Sequence, residues 1–152
     1  MHNDLVIRIG RPGDVRALVD FNVAMARETE NKVLSPDIVS TGVVAVLQDS
    51  NHGFYVVAEK AGAITGSLLV TKEWSDWRNG EFWWIQSVYV SPRYRRQGVY
   101  RRLYEFVRQQ ARVKGNVCGF RLYVERDNQV AQQTYRSLGM RETVYRLYEE
   151  EF

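Results

Sequence analysis

Cysteine is nearly missing from this chain: Cys118 stands alone in 152 residues, so no internal disulfide can form. A lone thiol suits a reducing compartment such as the cytoplasm, and it argues against a disulfide-stapled secreted scaffold. Histidine is scarce as well. His2 is terminal and His52 lies in an Asn-His-Gly turn, with no cysteine or second histidine spaced for a metal, so no metal site is expected. Apolar runs extend only a few residues, too short to span a bilayer. The segment Met1–Gly10 lacks a basic stretch followed by an apolar core, so it does not read as a signal peptide. There is no internal repeat, no low-complexity tract and no linker-like shift in composition. One domain over residues 1–152 is expected, long enough to bury a core without metal or disulfide support.

What is present is an ordinary soluble balance with one uneven feature. Net charge is only +3, yet Arg93, Arg95, Arg96, Arg101, Arg102, Arg108 and Arg112 crowd into one segment. Such a cluster can attract phosphate, on a nucleotide cofactor or on nucleic acid. For the later arginines a solvated helix face is the simpler reading. No recognised nucleic-acid-binding motif accompanies the charge, so a nucleic-acid partner is not expected.

The spacing of apolar residues outlines the elements. Leu5 to Ile9 reads as a short first strand, turned by Arg11-Pro-Gly, with Asp14 as N-cap of a helix whose Leu18, Phe21 and Met25 face the core. Glu28 follows on nearly the same stripe. Ser35-Pro36-Asp37 opens a second helix with Val39, Val43, Val46 and Leu47 on its apolar face, ended by Asn51-His52-Gly53. Three strands follow: Phe54 to Glu59, Ile64 to Thr71 and Phe82 to Val90. An aromatic and polar loop, Glu73 to Gly80, precedes the last of them. That last strand is apolar on both alternating sets, the pattern of a central strand covered on both faces. Val99 to Lys114 is a helix with Val99, Leu103, Phe106 and Val113 in its buried row. Phe120 to Val124 is a strand, with Cys118 read as core at its opening. Asn128 to Leu138 is a helix capped by Gly139, and Arg141 to Glu149 is a final strand. Short turns imply antiparallel neighbours. The strand–helix–strand unit from 82 to 124 requires a parallel pair, giving a mixed α/β sheet with helices on both faces.

The stretch Val88-Tyr-Val-Ser-Pro-Arg-Tyr-Arg-Arg-Gln-Gly-Val-Tyr-Arg-Arg-Leu103 joins a central strand, a basic loop with one glycine and the start of an amphipathic helix. Unpaired N–H groups at a helix N-terminus bind anions, and Gly98 lets a phosphate come close to the backbone. This segment resembles motif A of the GCN5-related N-acetyltransferases. Val88-Tyr-Val90-Ser-Pro92 stands for the strand end, and Arg95-Arg-Gln-Gly98-Val-Tyr100 for the loop. Leu122-Tyr-Val124, Asn128, Ala131, Tyr135 and Leu138-Gly-Met140 resemble motif B, and Arg8-Ile-Gly-Arg-Pro-Gly-Asp14 the opening of that family. The likeness runs in matching order along nearly the whole chain.

The resemblance implies a sheet splayed at its parallel pair, with pantetheine of acetyl-CoA lying in the cleft against Val88, Tyr89 and Val90. It places the pyrophosphate on the loop and helix start, formed by Arg95, Arg96, Gln97, Gly98, Val99, Tyr100 and Arg101, and Asn128 on the pantetheine side. Tyr135 matches a tyrosine that donates a proton to the leaving thiolate, a role open to a phenol neutral at pH 7; the plain alternative is a core tyrosine. By the same likeness, a backbone N–H near Val88 would stabilise the oxyanion. Two positions depart from the pattern: Arg96 stands where glycine is common, and Tyr100 where a small residue is common. Some relatives carry a glutamate base four residues before the position of Val88, and here that residue is Trp84. Glu28, Glu73, Asp76 and Glu81 are the replacement candidates, Glu28 having the inward helical phase.

All four tryptophans fall near the expected acceptor mouth. Trp74, Trp77 and Trp84 can hold a small amine or aminoacyl acceptor, since aromatic faces attract cations. Equally, some belong to the sheet core and the rest to a subunit contact. The activity implied is acetyl transfer from acetyl-CoA to a primary amine of a small amine, amino-acid-like metabolite or antibiotic. A non-catalytic acyl-CoA sensor and an enzyme acting on protein N-termini or lysines are the alternatives. A homodimer is an expectation by analogy only.

Overall fold

The structure, a computed structural model, describes residues 4–152; His2 lies outside the described residues. Its centre is a run of β-branched and aromatic strands. β1 (Val6–Ile9), β2 (Phe54–Lys60), β3 (Ala63–Ser75), β4 (Gly80–Val90) and β5 (Val117–Leu122) lie side by side in that order. The first three pairings are antiparallel and β4–β5 is parallel. The helices are α1 (Val15–Glu30), α2 (Pro36–Gln48), α3 (Val99–Lys114) and α4 (Gln129–Ser137).

Alternation along β2 sorts the core into two layers. Val56 and Ala58 join Leu68, Val70, Trp83 and Ile85 beneath Val99, Leu103 and Val107 of α3. Tyr55 and Val57 face the other way, against Leu18 of α1 and Val43 of α2. β4 is covered by α3 through Trp83 and Ile85 on one face; on the other, α1 reaches it at Tyr89, packed on Phe21 at 4.9 Å, while Phe82 and Trp84 face a cavity instead of a helix. Each fully buried aliphatic here contributes about 1.5–3 kcal/mol of burial free energy.

Several expectations need correction. β3 and β4 take up half of the expected loop 73–80, leaving Asp76–Asn79 as the turn between them. The carboxylate of Asp14 does not cap α1: it accepts two hydrogen bonds from Arg8, at 2.7 and 2.9 Å, and one from the Arg11 N–H at 2.8 Å. Val113 is 85% exposed: the buried row of α3 runs through Val99, Leu103 and Val107 at spacings of four, and Val113, six residues beyond Val107, falls off it. Cys118 is exposed rather than core, because β5 is an edge strand with a partner on one side only. β5 ends at Leu122, leaving Tyr123 and Val124 exposed.

The largest correction concerns Arg141–Glu149. No strand forms there, and every residue from 141 to 152 is exposed. Alternating apolar residues give a segment strand propensity, but a strand exists only when a neighbour pairs with its backbone. Among the described residues this segment has none.

Candidate functional site

The site begins where the parallel pair comes apart. β4 and β5 pair from Glu81–Val117, shift register before Phe82–Gly119, run on to Ile85–Leu122 and pair no further, while β4 continues to Val90. The β5-facing edge of β4 beyond Ile85 is thus open. On the other side the β3–β4 register shifts between Ser67 and Leu69, and Ser87 takes a left-handed φ of 50°. A bulge at that point re-aims the backbone of Ser87 and Val88. Sequence reading missed Ser87; its only signal was the polar pair Gln86-Ser87 inside an otherwise apolar strand.

At the end of β4 the chain turns through Pro92–Tyr94 and enters α3 by way of Gly98, whose φ is 76°. Residues 95–98 are exposed, and a Cβ built on Gly98 would meet no atom within 4 Å. Open space in front of unpaired helix-start N–H groups fits an anionic group such as a diphosphate. Arg96 also adopts positive φ, 62°, so the loop has the tight form that glycine usually provides. The expected ligands fall in two runs along this path, Val88, Tyr89 and Val90, then Arg95, Arg96, Gln97, Gly98, Val99, Tyr100 and Arg101, with Ser91–Tyr94 between them. Their side chains differ in use: Val99 is buried under the sheet, and Gln97 donates to the Arg93 carbonyl at 3.0 Å.

Arg95 does not point along α3. Its Nε donates to the Val90 carbonyl at 2.8 Å, and its terminal nitrogen donates to Glu28 at 2.8 Å. The Tyr89 hydroxyl donates to the same carboxylate at 3.1 Å, and the guanidinium lies 5.3 Å from the Tyr89 ring centroid. Burial raises the Tyr89 phenol pKa, and the Glu28 carboxylate adds to the rise. Glu28 does face the loop from α1, as its helical phase suggested, but it is half-exposed and held by two donors.

Asn128 forms the N-cap of α4, its side-chain oxygen accepting from the Ala131 N–H at 3.1 Å. Tyr135 packs on Tyr100 with ring centroids 5.9 Å apart. Burial pushes both phenol pKa values upward, and in Tyr100 the neighbouring phenols of Tyr135 and Tyr104 push further. Both are therefore neutral at pH 7. The Tyr100 hydroxyl is buried with no hydrogen-bond partner among the described residues.

Trp74, Trp77 and Trp84 come together on one cavity of about 870 Å³, which Tyr135 also lines. Trp83 is separate, in the core. Glu73 accepts from Trp84 at 3.0 Å and from Arg121 at 2.8 Å, and Trp84 stacks at 4.6 Å on Tyr123. Arg121 lies 3.6 Å above the Phe82 ring. Glu73 is therefore held by an arginine and an indole, and Arg121 and Tyr123 are wall residues that sequence reading did not single out.

Residues 22–140 match the model of the Acetyltransferase (GNAT) family. The chain belongs to that family. It is an acyltransferase, built on the family's mixed sheet. A possible acetyltransferase from Clostridium difficile 630 is 42% identical, with a TM-score of 0.91 over 97% of each chain. The aminoglycoside N-acetyltransferase AAC(6')-Iy, solved in complex with CoA, shares the fold at 16% identity. Its TM-score is 0.77, over 99% of this chain and 97% of that one. A transcriptional regulator from Bacillus halodurans C-125 shares it at 17% identity and a TM-score of 0.81, over 98% of this chain and 100% of that one. No curated protein matches the chain. Among the described residues no helix is long and apolar enough to cross a membrane, and no cluster of His, Cys, Asp and Glu could hold a metal.

Proposed function

We propose that this GNAT enzyme moves acetyl from acetyl-CoA to the primary amine of a small molecule that also carries negative charge. The observation that carries the reading is the parting of β4 from β5 after Ile85–Leu122, directly before the Gly98 entry to α3. An open strand edge can hydrogen-bond an extended amide chain, and the adjoining helix start can hold a diphosphate. When bound, acetyl-CoA supplies the thioester carbonyl that a neutral amine attacks.

The chain's own groups have distinct tasks in this reading. The re-aimed backbone at Ser87 and Val88 offers N–H donors for the developing oxyanion. Tyr135, kept protonated by burial, donates to the departing thiolate. Asn128, fixed as the α4 cap, stands on the pantetheine side. Glu28, tied to Arg95 and Tyr89, positions the loop that leads to α3. Trp74, Trp77 and Trp84 form the acceptor walls.

The charge of the cavity narrows the acceptor. Its lining has six arginines against three carboxylates, Glu73, Asp76 and Glu142, and Glu73 is already paired with Arg121. That excess repels a polycation and favours an amine bearing a carboxylate or phosphate. The test is thiol release from acetyl-CoA with a panel of amino acids, phosphorylated amines, polyamines and aminoglycosides. Turnover with the anionic amines supports the proposal. Exclusive turnover with polycations would reverse the acceptor assignment, and no thiol release with tight CoA binding would favour a sensor.

A further inference from the structure

Tyr100 carries a polar atom that nothing in the resting protein uses. It sits in the first turn of α3, its ring between Tyr104 of the same helix, 6.2 Å away, and Tyr135 of α4, 5.9 Å away. Its hydroxyl is cut off from water and has no hydrogen-bond partner among the described residues. Burying a hydroxyl unpaired costs stability, and phenylalanine would fill the same place without that cost. A buried orphan of this kind is explained by a partner that forms only during function.

The neighbours identify that partner. Tyr135 lines the acceptor cavity; Tyr100 stands behind it, off the cavity wall. The two helices are tied together further on, where Arg108 of α3 donates to the Leu138 carbonyl at the end of α4, at 3.3 Å. Tyr104 is braced in turn by Phe120, edge to face at 5.6 Å. The Tyr100 ring is thus confined, and its route to the chemistry runs through Tyr135. Burial first, then the charge of an ionised Tyr135 and of Tyr104, raises the Tyr100 pKa. Tyr100 therefore still holds its proton when Tyr135 has lost one.

We infer that Tyr100 is a positioning residue for Tyr135: its buried hydroxyl donates a hydrogen bond to the Tyr135 oxygen once that oxygen becomes a phenolate. The inference rests on the reading of Tyr135 as proton donor to the departing thiolate. In that step the Tyr135 O–H bond breaks and an S–H bond forms, leaving the negative charge on the Tyr135 oxygen. A turn of the Tyr100 hydroxyl about its C–O bond aims its proton at this oxygen, and no second proton moves. The phenolate is discharged by the proton that the newly acylated nitrogen sheds. Tyr135 is then neutral and the Tyr100 hydroxyl is unpaired again. A hydrogen bond to a charged oxygen is stronger than one to a neutral oxygen, so the contact stabilises the reacting state more than the resting one.

The experiment includes a readout that needs no turnover. Tyr135 is replaced by difluorotyrosine, whose phenol ionises well below an ordinary tyrosine. Its fluorine resonance is followed against pH in protein without cofactor, with and without Tyr100→Phe. Loss of the Tyr100 donor should raise the midpoint by about one to two units, the worth of one hydrogen bond to a charged group. An unchanged midpoint overturns the inference. In the enzyme with its native Tyr135, Tyr100→Phe should lower kcat about tenfold and change KM for acetyl-CoA less than about twofold. Added to Tyr135→Phe it should cost nothing further, since the oxygen it serves is gone. A further loss in that double variant also overturns the inference, because Tyr100 would then act by another route. The two readings fail separately: a midpoint that shifts while Tyr135→Phe leaves kcat intact sinks the proton-donor role of Tyr135 and upholds the link between the two phenols.

Discussion

Tyr100 of α3 and Tyr135 of α4 meet edge to face, ring centroids 5.9 Å apart. This contact joins the helix that starts at the proposed phosphate-binding loop to the helix that carries the proposed proton donor. Because burial raises the Tyr135 pKa, the proton is present at neutral pH and leaves only above the ordinary phenol value of about 10. Tyr135→Phe should lower kcat about 100-fold, within the range of a lost general acid, and change KM for acetyl-CoA less than about threefold. Steady-state kinetics checks this. Equal losses in kcat and cofactor affinity would make Tyr135 a packing residue.

Tyr100→Phe gives the converse expectation. Its hydroxyl is buried without a partner, so removing it relieves a desolvation cost on the order of 1 kcal/mol. The variant should melt at or above the wild-type temperature. A clear fall in melting temperature would mean that the hydroxyl is hydrogen-bonded in solution, with Tyr135 as the nearest candidate.

Glu28 and Arg95 separate two readings of one carboxylate. As a positioning residue, Glu28 replaced by Gln should keep the shape of the pH–rate profile, cost less than about tenfold in kcat and raise KM for acetyl-CoA. Both side chains are more than a third exposed, so the stability loss should stay within about 1 kcal/mol. A fall of 100-fold or more in kcat, with the acidic limb of the profile abolished, would restore Glu28 as the general base.

These tests bear on what could be read from residues alone. The sheet order, the crossover and the Gly98 entry to α3 were legible because each rests on local chemistry: alternation, cap residues and one glycine between a strand and a helix. The bulge at Ser87 was not, since a register shift is decided across strands by Ser67 and Leu69. Asp14 carried a sound cap signal, but Arg8 from β1 outbid the helix N–H groups for its carboxylate. Trp74, Trp77 and Trp84 were grouped by residue type and do line one cavity; their neighbours Arg121 and Tyr123 come from the end of β5 and the residue after it, which only the fold brings there. The segment 141–149 shows the limit most clearly, because propensity names a strand without naming its partner.

Gly98 is tested through its backbone. Its φ of 76° is costly for a residue with a Cβ, by about 1–2 kcal/mol and more for a β-branched one. No atom stands within 4 Å of the added carbon, so Gly98→Val acts by strain and by filling the space before the helix start. Coenzyme A affinity measured by calorimetry should fall at least tenfold, with far-UV circular dichroism unchanged. Unaltered affinity would move the diphosphate away from this loop.

Asp14 gives the pH dependence of the fold. Burial alone would raise its carboxyl pKa, but the Arg8 hydrogen bonds and the Arg11 N–H outweigh that and hold it below the usual value of 3.8. A carboxyl whose folded pKa is depressed adds stability above its unfolded pKa and loses it as pH falls through the folded one. The fold should thus lose stability below about pH 4, as the proton bound in the unfolded chain pulls the equilibrium over. Asp14→Asn leaves the Arg8 guanidinium facing an amide in a largely buried place, with only Glu59 to balance it. A loss of about 3 kcal/mol at pH 7 is expected, shrinking as the pH is lowered toward 3 because the wild type forfeits the same interaction there. Urea denaturation of both proteins at pH 7, 5 and 3.5 measures the difference. A gap that stayed constant across that range would show that Asp14 acts through packing, and that its ionised carboxylate contributes nothing to the junction of β1 and α1.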